Sequence, residues 1–353
     1  MAARRAAVVG TGLIGGSIGL ALGRAGWHVT GRDKDRKAQA TAKRMGAIHA
    51  VGQDPAAEIT FIASPVRAVP ALATKALELG GGLVTDVGSV KQSIVQQVNH
   101  QRFLGGHPMA GSELEGVEGA DADLFAGAVW VLTPTRRTSD RTLQRLHAVV
   151  SELGADVVAL DPEHHDTLVA VVSHVPHLTA ASLMRLADDR ATEHRALLRL
   201  AAGGFRDMTR IASGHPGIWP DICVENRDAI AATLDGLIGS LQELQRVVLA
   251  GDRAALLGVL EQARSARSNL PTRIGPTAKV AEVRVPVPDK PGVLAEVTTL
   301  AGTLGVNIAD LEIAHSSEGD AGVLIMVVER DEAERLRKGL VDKGYRPSVT
   351  PLD

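Results

Sequence analysis

The stretch from Ala6 to Asp33 constrains the fold more than any other part of the chain. Ala6-Ala7-Val8-Val9 is a short apolar run of the kind that forms a strand buried on both faces of a parallel sheet. Gly10-Thr11-Gly12-Leu13-Ile14-Gly15 follows at once and leads into a helical stretch that Gly26 ends. Trp27 to Gly31 reads as a second strand, with Arg32 and Asp33 directly after it. A G-x-G-x-x-G run alone is a weak signal. Between a strand and a helix, with an acid about twenty residues on, it marks a dinucleotide-binding βαβ unit. Gly10 allows the tight turn, Gly12 lets a pyrophosphate approach the backbone, and Gly15 lets helix and strand pack closely. The helix N-terminus at Leu13 and Ile14 then faces the phosphates. Asp33 favours NAD, because a carboxylate accepts from the ribose 2′-hydroxyl and repels a 2′-phosphate. Arg32 pulls the other way, since it can pair with that phosphate or stack on adenine.

The same alternation continues to about Leu160. Ile59–Ala63, Leu83–Val87, Phe103–Gly105, Val129–Thr133 and Val157–Leu160 read as strands separated by helical stretches. That pattern predicts an α/β fold of Rossmann type, with a doubly wound, largely parallel sheet. From Pro162 to Ala266 no strand pattern appears. Leu168, Val171, Val172 and Val175 recur at helical spacing, as do Ile230, Leu234, Leu237, Ile238, Leu241 and Leu244. These stripes read either as a bundle core or as part of a dimer interface. Ser265 to Thr277 reads as a linker. Alternating Val283, Val285 and Val287 then open a segment whose element order is β-α-β-β-α-β, with a turn at Ser316–Gly322. Three domains are expected, at 1–161, 162–275 and 280–353.

Composition excludes several classes of function. A formal net charge of −3 over 353 residues leaves no electrostatic footprint for nucleic acid. Arg4-Arg5 runs straight into the first strand, without the apolar stretch of a signal peptide. No apolar run reads as long enough to span a bilayer, so no membrane partner is expected. The single cysteine, Cys223, excludes internal disulfides and fits a reducing cytoplasm.

Two loops carry the chemistry. Asp86-Val87-Gly88-Ser89-Val90-Lys91 and Gly106-His107-Pro108-Met109-Ala110-Gly111-Ser112-Glu113 each follow a predicted strand. They place a serine, a histidine and a carboxylate at the end of the sheet where a nicotinamide would lie. A histidine there accepts the proton of an alcohol as hydride leaves for the cofactor. Ser89 also suits a helix N-cap, and no G-x-S-x-G elbow supports nucleophilic serine chemistry. His164-His165-Asp166 with His174 and His177 looks like a metal cluster but matches no zinc spacing. A helix N-terminal turn at Asp161-Pro162-Glu163 explains that composition, and no metal is expected.

On these motifs the chain resembles the prephenate dehydrogenase family. The resemblance also rests on Gly12 to Ser17, on Ser173-His174-Val175-Pro176-His177, and on the run from Gly203 to Ala212. Asp289-Lys290-Pro291-Gly292-Val293-Leu294 and Gly305-Val306-Asn307-Ile308 make the last segment resemble an ACT domain. The resemblance implies oxidative decarboxylation of prephenate to 4-hydroxyphenylpyruvate with NAD, and a helical domain that forms a homodimer. It implies that His107 is the base and that Ser89 bridges imidazole, substrate hydroxyl and nicotinamide. Arg210 would bind the ring carboxylate, a salt bridge to Asp207 being the alternative. His177 would hold the substrate side chain, His174 shares its helix face, and Glu113 gates the pocket or holds a water. In the ACT segment, Asp289, Gly292 and Asn307 would bind an amino-acid effector, tyrosine first, unless the segment serves only dimerisation. Arogenate dehydrogenase and an amino-acid-sensing regulator remain as alternative functions.

Overall fold

The computed structural model describes residues 3–112, 114–191, 197–268, 280–288, 290–315 and 321–352. It falls into two compact units, one made of Met1–Met184 with Ile211–Ile238 and one of Arg185–Arg210 with Gly239–Asp353.

The first unit is built on eight strands: β1 (Arg5–Val9), β2 (His28–Arg32), β3 (Ala50–Val51), β4 (Ile59–Ile62), β5 (Leu83–Asp86), β6 (Phe103–Pro108), β7 (Val129–Thr133) and β8 (Asp156–Ala159). Their order in the sheet is β3-β2-β1-β4-β5-β6-β7-β8. The chain winds one way from β1 to β3, then returns past β1 and winds the other way from β4. That reversal opens a crevice at the C-terminal ends of β1 and β4, the place where open α/β sheets bind ligands. Neighbours pair in parallel except β6 and β7, which are antiparallel. Apolar side chains fill the core, with Val8, Ile18, Leu22, Phe61 and Trp130 fully buried. β6 runs three residues past its predicted end at Gly105. His107 therefore lies in a strand, opposite Val131, and not in a loop.

A continuous helical stretch from Pro162 to Ala191 follows the sheet. Asp161 caps it by accepting from the backbone amides of Glu163 at 2.9 Å and His164 at 3.3 Å. Its middle, Ala170–His174, is a wider π turn. By length and composition this stretch is apolar enough to cross a membrane, contrary to the sequence expectation, with a mean hydropathy of 1.4 over its best window. Its inward side, however, buries His165, Asp166 and His174 among polar partners of the first unit. Val175 and Ile230 are buried in a small helical cluster, while Val171, Val172, Ile238 and Leu241 are exposed in the single chain.

In the second unit the helix Arg253–Ser268 takes in Ser265 to Ser268, so the first part of the expected linker is helical. The rest of that reading, 269–277, lies outside the described residues. β9 (Val280–Pro288), β10 (Ile308–His315), β11 (Ala321–Glu329) and β12 (Ser348–Leu352) form an antiparallel sheet in the order β10-β11-β9-β12. The helices Val293–Thr303 and Arg330–Asp342 complete the β-α-β-β-α-β order. Val283, Val285, Val297, Leu324, Met326, Leu336 and Leu340 form its core. Residues 316–320 of the predicted turn lie outside the described residues.

Candidate active site

The glycine loop fits a dinucleotide. Gly10 has φ +97, and a Cβ there would overlap the carbonyl of Ala63. A Cβ on Gly15 would overlap the carbonyl of Gly10, so this helix approaches the turn as closely as backbone allows. Above Gly12 nothing stands within 4 Å of where a Cβ would be. Gly12 is the N-cap of the helix Leu13–Arg24 and gives it no side-chain cap, which leaves the first-turn amides facing that open space. Asp33 accepts from the amide of Thr11 at 2.6 Å and from the amide of Asp35 at 2.9 Å. The Thr11 hydroxyl donates to the same oxygen as its amide, at 3.3 Å, so the other oxygen, Oδ1, keeps room for a ribose hydroxyl. Arg32 is the last, half-buried residue of β2.

The strand ends β5 and β6 are locked together by a buried ion pair. Lys91 and Asp86 are both fully buried, and the Lys91 ammonium donates to the Asp86 carboxylate. It also donates to the carbonyl of Gly106 at 2.8 Å. Asp86 accepts in addition from the amides of Gly88 at 2.9 Å and Gly106 at 3.3 Å. Burial pushes the Lys91 pKa down, and Asp86 opposes that shift. Removing one member of such a pair typically costs ~3–5 kcal/mol. The pair thus fixes the turn carrying Ser89 against the strand carrying His107. Ser89 is not a helix N-cap. The next helix, Gln92–Gln97, begins later. Its cap comes from elsewhere: Asp166 accepts from the amides of Lys91 at 2.8 Å and Gln92 at 2.9 Å.

Asp166 also orders a histidine chain. Its Oδ1 lies 2.8 Å from Nδ1 of His165. Nε2 of His165 lies 2.9 Å from Nδ1 of His107. A carboxylate only accepts, so His165 carries a proton on Nδ1, and its Nε2 is the atom left to accept from His107. His107 then carries its own proton on Nδ1, which leaves the lone pair of Nε2 for a substrate. Its pKa is held well below 6.5, chiefly by burial and then by His165, Lys91 and His174. The ring is neutral and able to accept a proton at neutral pH.

In a regular helix, nine residues would put His174 on the side opposite His165. The π turn between them rotates His174 back towards the same interior, and such turns recur at functional sites. His174 is 1% exposed and bonds through Nδ1 to the amide of Asn226 at 3.1 Å. His177 lies flat on Trp219, with centroids 3.6 Å apart and planes 9° apart. Burial lowers the His177 pKa. Asp86, Lys91, His165, Asp166, Trp219 and Asn226 were given no site role from sequence. The adjacent His165 and Asp166 are the one signal of this cluster that the sequence offers, and their spacing matches no zinc site.

The remaining predicted residues belong to the second unit or lie outside the described residues. Arg210 opens the turn Arg210–Ser213 and belongs to the second unit. Glu113 and Asp289 lie outside the described residues. Gly292 is the N-cap of Val293–Thr303 with φ 93. Asn307 precedes β10 by one residue, and its amide donates to Glu332 at 3.2 Å.

The chain is similar to known proteins along most of its length. Families described as the nucleotide-binding domain and the dimerization domain of prephenate dehydrogenase match residues 18–159 and 161–262. An ACT domain matches residues 281–337. Prephenate dehydrogenase of Bacillus subtilis is 33% identical over 342 residues, 92% of either chain. The chain belongs to the prephenate dehydrogenase family. Among solved members, prephenate dehydrogenase of Aquifex aeolicus in complex with hydroxyphenyl propionate and NAD+ is 31% identical, with a TM-score of 0.72 over 77% of this chain and 99% of that one. Arogenate dehydrogenase of Synechocystis is 29% identical, with a TM-score of 0.67 over 76% of this chain and 100% of that one. Membership makes the chain a dehydrogenase with a nucleotide-binding domain, a dimerisation-type helical domain and an ACT domain.

Proposed function

We propose that this chain oxidises prephenate to 4-hydroxyphenylpyruvate and carbon dioxide with NAD. The observation that carries the reading is the buried chain Asp166–His165–His107, which leaves a bare imidazole nitrogen in the strand beside the nucleotide crevice. His107 Nε2 takes the proton of the ring hydroxyl. The imidazolium so formed is stabilised through His165 by the Asp166 carboxylate. NAD, when bound, accepts the hydride. Ser89 holds the substrate hydroxyl in line with the imidazole. Arg210 pairs with the ring carboxylate, while His177, His174 and Glu113 hold the remainder of the substrate. Loss of carbon dioxide makes the ring aromatic, which drives the step.

The reading extends to a cytoplasmic homodimer formed through the helical domain, where Ile238 and Leu241 are exposed in the single chain. The domain bounds 1–161, 162–275 and 280–353 belong to it as well. So does an aromatic amino-acid effector, tyrosine first, on the ACT domain near Asp289, Gly292 and Asn307.

The test is reduced-cofactor formation on adding prephenate or arogenate with NAD or NADP. Prephenate with NAD is expected to give the highest kcat/KM, and Asp33→Ser is expected to narrow the preference for NAD over NADP. Faster turnover of arogenate would move the assignment to the reaction named for the Synechocystis neighbour. A wild-type preference for NADP would make Arg32 the dominant reader. Arg210→Gln is expected to raise the KM for prephenate by about 10- to 100-fold, the loss of a charge-assisted pair, with a smaller change in kcat. An unchanged KM would give Arg210 a structural role.

A further inference from the structure

Asn226 follows the short helix Trp219–Glu225 and is 5% exposed. Its side-chain nitrogen lies 2.8 Å from the main-chain oxygen of Asp166 and 3.1 Å from Nδ1 of His174. A carbonyl oxygen only accepts, so the amide must turn its NH2, not its oxygen, towards Asp166. That group has two hydrogens. One serves Asp166, and the other meets Nδ1 of His174. Nδ1 therefore accepts, and the single proton of a neutral His174 sits on Nε2. The ring is neutral because burial pushes its pKa down to about 4, against the pull of Asp166 and with a contribution from His165.

Nε2 of His174 is buried and has no hydrogen-bond partner among the described residues. A buried N–H without a partner is costly, and in a native site it calls for an explanation. This one lies within the polar cluster that holds the base. Asn226 bonds both to His174 and to the backbone of Asp166, whose carboxylate orders His165 and His107. Trp219 packs edge-on against the His174 ring at 6.2 Å between centroids.

We propose that Asn226 is a positioning residue that fixes His174 as an Nε2–H donor, and that this donor binds an oxygen acceptor, carboxylate or keto, of the substrate. The inference rests on reading the His107 cluster as the active site. It has a consequence for specificity. A neutral N–H cannot pair with an ammonium group, so the position that His174 faces admits an oxygen and rejects a protonated amine.

The test uses the full chain labelled with 15N-histidine and long-range 1H–15N correlation spectra, with His174 assigned through His174→Gln. The wild-type ring is expected as the Nε2–H form. In Asn226→Asp the new carboxylate demands a donor, and the ring is expected to switch to Nδ1–H. The KM for prephenate is then expected to rise roughly 10- to 100-fold, the loss of one buried hydrogen bond, with kcat changed less than about threefold. Asn226→Leu removes both hydrogen bonds without adding an acceptor. It is expected to mix the two ring forms and to raise KM by less, so it carries the test if the aspartate variant does not fold. Adding hydroxyphenyl propionate with NAD+ to the wild type is expected to shift the His174 Nε2–H resonance. An Nδ1–H wild-type ring, an unshifted resonance, or an unchanged KM in the folded variants would overturn the proposal. The ring form is read without turnover, so a chain inactive on prephenate would fail the activity assignment while leaving the Asn226 result standing.

Discussion

His107→Asn is expected to lower kcat by about 10²–10⁴-fold while leaving NAD affinity near its wild-type value. Asparagine keeps a hydrogen-bonding group on β6 but has no site that takes up a proton near neutral pH. The ring stands at the end of a buried chain, 2.9 Å from His165, so no solvent-exposed base replaces it readily. Wild-type pH dependence follows from the same environment. A base works only when neutral, and it is neutral above its pKa. Burial, His165, Lys91 and His174 all hold His107 well below 6.5. The acid limb of kcat/KM is therefore expected below pH 6.5, with full activity through neutrality. Near-normal turnover in the asparagine variant, or an acid limb above pH 7, would remove His107 from the role.

His107 was visible in the sequence because it sits in a motif, but its setting was not. Gly-Gly-His-Pro has little strand propensity, so the strand reading stopped at Gly105. The structure continues β6 through Pro108 by pairing it with β7, a contact that a local reading cannot see. Most strands were legible for the opposite reason. Val129–Thr133 and Ile59–Ile62 are apolar runs buried in the sheet, where composition and environment agree. Likewise Val283, Val285 and Val287 alternate because one face of β9 packs on helices.

The supporting residues were harder to read. His165 and Asp166 are neighbours in sequence, yet their partners His107, Lys91 and Gln92 lie 58 to 75 positions away. Nothing in the periodicity of a helix reports a hydrogen bond to a distant strand. The π turn at Ala170–His174 adds a second obstacle, since phase counting along a regular helix turns His174 away from His165. Asn226 carries no motif at all. Lys91 lies within a motif, but a lysine is almost never fully buried unless it is paired, so its role cannot be seen without its partner. Its partner Asp86, five residues earlier, stands at the end of the strand before the turn.

His165→Phe tests whether this buried chain serves catalysis or only packing. Phenylalanine keeps much of the ring volume and removes the nitrogen that accepts from His107. His107 is then free to hold its proton on either nitrogen, and part of the population loses the bare Nε2. The path from the imidazolium to Asp166 is also cut. In a hydrolytic triad, loss of the group that fixes the histidine tautomer costs about 10⁴ in turnover. The path here is one residue longer and the ring remains buried, so a fall in kcat of about 10²–10³-fold is expected, with a small change in KM. The pH profile separates this from a packing defect. His165 bonds to His107 directly, so its removal is expected to move the acid limb from its wild-type position. His165→Gln restores a carbonyl oxygen able to accept from His107 Nδ1 and is expected to recover part of the lost turnover. A phenylalanine variant with near-normal kcat and an unmoved acid limb would leave His107 working without its chain. A glutamine variant no better than phenylalanine would reduce His165 to a filler of space.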